Sequence, residues 1–93
     1  MPDRIDALHP DPEKQGTTID AAKYHTVREA IEAELADGPV ALAELRSGLK
    51  RRIGDTFDGS VSWYMMAVKL DLEARNVIER VPGQTPQHVR LVG

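Results

Sequence analysis

Apolar side chains recur along this chain with a helical period. Tyr24, Val27, Ile31 and Leu35 follow one another at spacings of 3, 4 and 4, with Arg28, Glu29 and Glu32 between them. That is the one-sided pattern of an amphipathic helix. Asp20 stands where an N-cap is wanted, and Asp37-Gly38-Pro39 ends the segment, because glycine takes the left-handed conformation after a helix and proline cannot continue one. A first helix is predicted over roughly 20–36. Leu42, Leu45, Leu49 and Ile53 repeat the same spacing and predict a second helix over roughly 41–53. Gly48 inside it costs on the order of 1 kcal/mol relative to alanine and reads as tolerated, the alternative being a close crossing by another backbone.

Gly54 to Gly59 reads as a turn-rich loop with Phe57 as its apolar plug, and Ser60 as the cap of a third helix over roughly 61–76. Val61, Trp63, Tyr64, Met65, Met66, Ala67, Val68, Leu70 and Leu72 cover more than half of that helix's circumference, so it is contacted on several sides or has one side waiting for a partner. Of the adjacent Met65 and Met66, about 100° apart, one can be exposed to an adaptable protein contact. Trp63, Ala67, Leu70 and Ala74 share one face at spacings of 4, 3 and 4. They predict Trp63 as a core anchor whose truncation costs roughly 3–5 kcal/mol.

After Asn76, a left-handed cap, Val77 to Val81 is a strand-like run, Pro82 to Pro86 is turn chemistry, and Gln87 to Val92 alternates polar with apolar residues. The result is a hairpin that must lay Val89 and Leu91 on the helices to be stable. Pro39-Val40-Ala41 can add a third strand. Residues 1–18 hold three prolines and few apolar side chains, and read as an N-terminal tail or extended arm whose anchors are Leu8 and Ile5. Residues 19–93 form the domain. The expected fold class is mostly α with a C-terminal β-hairpin: a winged helix-turn-helix, with the hairpin as wing.

Particular residues carry a resemblance as well. Thr18-Ile19-Asp20-Ala21-Ala22-Lys23-Tyr24, the Trp63-Tyr64 pair followed by Val68-Lys69-Leu70-Asp71-Leu72-Glu73-Ala74-Arg75, and Ile78-Glu79-Arg80 are similar to a small bacterial family of winged-helix-like proteins of unknown function. The similarity reaches back to Leu8-His9-Pro10. It implies a fold and an ordered arm, and brings no catalytic residue.

Composition narrows the function. With 93 residues, 41% hydrophobic and 29% charged, the chain has the make-up of one small folded domain. It has no cysteine, which excludes disulfides and thiolate metal sites. No apolar run approaches the ~20 residues of a membrane span, so no membrane contact and a cytoplasmic location are expected. His9, His25 and His88 have no helical i, i+4 ligand partner, and no metal is assigned. The isolated glycines form no phosphate-binding loop, and no cofactor is expected. Asp71 and Glu73 diverge by roughly 200° on a helix, which disqualifies them as an acid/base pair. Asp71 with Arg75 and Lys69 with Glu73 are instead i, i+4 ion pairs. No enzyme is expected.

The net charge of −3 is uneven: residues 1–40 carry 4 basic and 9 acidic groups, residues 41–93 carry 8 and 6. Two functions remain. One is a regulator that binds duplex DNA weakly, touching phosphates through Arg46, Lys50, Arg51, Arg52, Arg80 and Arg90, with Lys69 the one long polar side chain able to read a base edge. The bland reading of those cations is a solvated helix end and the wet face of a hairpin. The other function is a winged helix used for protein interaction or homodimerisation through the third helix, supported by the acidic first half and by the apolar excess on that helix.

Overall fold

The computed structural model describes residues 4–7, 17–83 and 85–92. Leu8, His9 and Gln84 lie outside the described residues. Strand β1 (Arg4–Ala7) pairs antiparallel with β2 (Thr17–Asp20), placing Ile5 opposite Ile19. The apolar pattern does not announce this pairing, since the four residues of each strand carry a single large apolar side chain. Ile19 is buried and Ile5 packs at the edge of the core.

Asp20 then closes the strand and opens helix α1 (Ala21–Leu35), its Oδ2 accepting from the Lys23 amide at 3.2 Å. All four residues of the first periodic set, Tyr24, Val27, Ile31 and Leu35, are buried. Gly38, with φ of 132°, follows the helix end as expected. Strand β3 (Val40–Ala41) leads directly into α2 (Leu42–Ile53), which buries Leu45 and Leu49. Gly48 is also buried, and a Cβ there would stand 2.4 Å from the Glu34 carboxyl carbon. This position is therefore a close approach, made by a side chain of α1 and not by a crossing backbone.

Ser60 caps α3 (Val61–Ala74), its Oγ accepting from the Trp63 amide at 3.2 Å. Here the expected core face is wrong. The stripe that enters the core is Val61, Met65, Val68 and Leu72, while Trp63 is 51% exposed. Both stripes have spacings of 4, 3 and 4, and two residues of offset rotate one from the other by about 200°. Periodicity alone cannot choose between them. Polarity pointed the wrong way, because Lys69 and Asp71 flank the true core stripe and both are buried.

Asn76, at φ of 62°, turns the chain into β4 (Ile78–Arg80), and β5 (His88–Leu91) returns beside it. The three-stranded sheet has the order β3-β5-β4, with Val89 opposite both Val40 and Arg80. Val89 is fully buried and Leu91 packs against the core, so the sheet closes the helical layer. No helix is long and apolar enough to cross a membrane among the described residues.

Candidate interaction surface

The rotation of α3 decides what the molecule shows to a partner. With Met65, Val68 and Leu72 inward, the opposite arc is Ser62, Trp63, Met66, Ala67, Leu70 and Ala74; Trp63 and Met66 are exposed at 51% and 39%, the others are half-buried, and Ala67 still touches the core. Of the two adjacent methionines, Met65 is buried and Met66 exposed. Glu73, beside this arc, is largely buried and held by Lys69 Nζ at 2.6 Å.

An aromatic ladder fixes the N-terminal end of the arc. The Trp63 and Tyr64 rings meet edge to face at 4.9 Å between centroids, and Tyr64 meets Phe57 in the same way at 5.0 Å. Phe57 thus plugs the loop onto the body, and the Lys23 ammonium lies 5.4 Å from the Tyr64 ring and 5.9 Å from the Phe57 ring. Gly59, at φ of 128°, lets the loop pass so near that a Cβ would stand 2.9 Å from Tyr64.

The seven cations of the nucleic-acid reading do not form one open set. Arg46, Lys50 and Arg51 are exposed on α2, with no ion pair to an acid among the described residues. Arg52 Nε is 2.6 Å from Glu34 Oε1, and Arg90 Nε is 2.9 Å from Glu79 Oε1. With the Gln87 amide turned so that its oxygen faces the two cations, that oxygen accepts from Arg80 Nε at 2.8 Å and from Lys69 Nζ at 3.0 Å. Lys69 is 1% exposed. Its expected role as a base reader is thereby corrected: the ammonium points inward to Glu73 and Gln87, where it ties α3 to the hairpin strand. Lys50 shares a surface cavity with Asp55, Ser60 and Ser62 at the N-terminal end of α3.

A second polar junction lies behind the helix. The Tyr24 hydroxyl donates to Asp71, which is fully buried and also accepts from Arg75 Nε at 2.9 and 3.0 Å. Arg75 Nη2 reaches on to the Asp6 carbonyl at 3.3 Å, so one carboxylate links α1, α3 and β1. Burial, the hydrogen bond and the charge of Asp71 push the Tyr24 phenol above its usual pKa, against an opposing pull from Arg28. The Asp71 contact likewise raises Arg75.

The histidines stand apart. His25 is exposed with its ring edge-on to Tyr24 at 5.5 Å, and His88 Nδ1 donates to the Pro86 carbonyl at 2.7 Å. Among the described residues no group of three or more His, Cys, Asp or Glu is placed to hold a metal ion.

These features define a small mixed α/β protein, with three helices and two small antiparallel sheets among the described residues. The chain belongs to a family of unknown function (DUF6958), whose model matches residues 4–89. Among curated proteins and among solved structures, none matches the chain.

Proposed function

We propose that this protein is a non-enzymatic interaction module with a winged-helix arrangement, docking a protein partner on the outward face of α3. One observation carries the reading: Trp63 is 51% exposed, beside Met66 at 39%, on an arc with no open charge. Large apolar side chains left together at the surface are the mark of a protein contact. A winged helix that reads DNA would send long polar side chains from the same helix into the major groove. Here Lys69 is buried and Arg75 is engaged by Asp71.

A second reading, weak binding of duplex DNA, rests on the exposure of Arg46, Lys50 and Arg51. It would be sequence-independent and steeply weakened by salt. One experiment separates the two. A photoreactive phenylalanine analogue replacing Met66, in cells that make the chain, is expected to give protein adducts that a Trp63→Asp change abolishes and that the same analogue at exposed Glu29 does not give. Adducts only to nucleic acid, or none at Met66, overturn the protein-docking reading.

A further inference from the structure

We propose that the occupant of this face is the same face of a second copy, the two α3 helices running antiparallel about a two-fold axis that passes between Ala67 and Leu70. The inference rests on the reading of α3 as a docking surface and names its partner. It starts from a second periodicity on that helix. Trp63, Ala67, Leu70 and Ala74 form a stripe at spacings of 4, 3 and 4, the spacing of a helix-to-helix seam; in the monomer Trp63 is exposed, Leu70 and Ala74 are half-buried, and Ala67 is half-buried with one side against the core.

The order of sizes along the stripe selects the orientation. Run antiparallel about that axis, each layer joins a large residue to a small one, Trp63 to Ala74 of the second copy and Ala67 to its Leu70. Run parallel, tryptophan would meet tryptophan while alanine met alanine, giving a collision and a gap in one seam. A two-fold contact needs a surface that complements itself, and the antiparallel stripe does.

Charge agrees with this. The stripe has no ionisable side chain, so no like charges of the two copies face each other in the seam, and the repulsion between net charges of −3 is the part that salt screens. The antiparallel arrangement also sets the positive N-terminal pole of each α3, with Lys50 near it, against the negative C-terminal pole of the other. Asp55 lines the cavity with Lys50 and tempers that attraction. One seam along a helix of 14 residues, about 21 Å, is smaller than the usual ~800 Å² per partner, which places the dimer in the weak, reversible range.

The test uses the full chain. Light scattering and sedimentation from about 1 to 300 µM are expected to show monomer passing to dimer, with Trp63 emission moving to shorter wavelength in step, a range typical of contacts of this size. Ala74→Trp, which leaves the core untouched, is expected to weaken dimerisation at least tenfold while circular dichroism stays unchanged. The absence of native cysteines permits a direct check of orientation. At a rise of 1.5 Å per residue, position 67 of one copy lies about 4.5 Å along the axis from its mate, and position 74 about 16 Å. Ala67→Cys is therefore expected to form a disulfide-linked dimer on oxidation, and Ala74→Cys is not. A dimer unaffected by Ala74→Trp, or one that links through position 74, overturns the proposal. A chain monomeric throughout, with unshifted emission, overturns it too. Should Met66 then still cross-link to a different protein, the docking reading stands without it; should it not, both fall.

Discussion

At the scale of single residues, exposure and burial invert the ordinary expectations for tryptophan and lysine. Trp63→Ala in the monomer is expected to cost only about 1–2 kcal/mol, since about half of the ring is already in water, whereas Leu49→Ala or Met65→Ala should cost roughly 2–5 kcal/mol. Urea unfolding at low micromolar concentration checks the contrast; a Trp63 loss matching that of Leu49 would return the tryptophan to the core. Lys69 shows why the sequence misled here. A lysine on a helix reads as solvated unless its partners are known, and those partners are Glu73, one turn away, and Gln87, which lies beyond the turn that joins β4 to β5. The first was legible from i, i+4 spacing, and the second is a tertiary accident that no local pattern reports.

At the scale of elements, boundaries were the most legible part. Asp20, Ser60 and Asn76 each perform the capping or turn role that their chemistry predicts, and β3 joins the hairpin as the Pro39-Val40-Ala41 stretch allowed. The pairing of β1 with β2 was not legible, because strands with one large apolar residue each give no alternation to read. Nor was the meaning of Gly48. A methyl there would displace the Glu34 carboxylate from Arg52, so the helix-propensity gain of about 1 kcal/mol is offset by the loss of a partly exposed pair that contributes about 0.2–1 kcal/mol. Gly48→Ala is thus expected to change stability by under about 1 kcal/mol while erasing the coupling between Glu34 and Arg52. A double-mutant cycle on that pair, run with and without the Gly48→Ala change, reads this directly. Coupling that persists after the methyl is added would place the carboxylate elsewhere.

For the whole molecule, the Tyr24, Asp71 and Arg75 junction makes stability depend on pH in a predictable sense. The folded phenol keeps its proton to higher pH than the unfolded one, so its contribution is complete below about pH 10 and is lost as pH rises through the raised folded value. Tyr24→Phe is expected to lower stability by about 1–3 kcal/mol at neutral pH, leaving buried Asp71 one donor short, and to flatten the alkaline decline. Denaturant titrations at pH 7 and above pH 10 measure both effects, and an equally steep decline in the variant would assign it to other groups. Hydrogen exchange in β1 should quicken in step, because Arg75 carries the same junction to the Asp6 carbonyl.

The buried charges of α3 have one more consequence. A helix with two rival apolar stripes has two nearly equivalent ways to lie on its neighbours, like a key that fits its slot either way up. Lys69 and Asp71 cut the notches: each finds its partners at one angular setting only, Gln87 for the lysine and Tyr24 for the aspartate. The desolvation these two charges suffer is the cost of a choice, and what it selects is which side of the helix the rest of the cell meets.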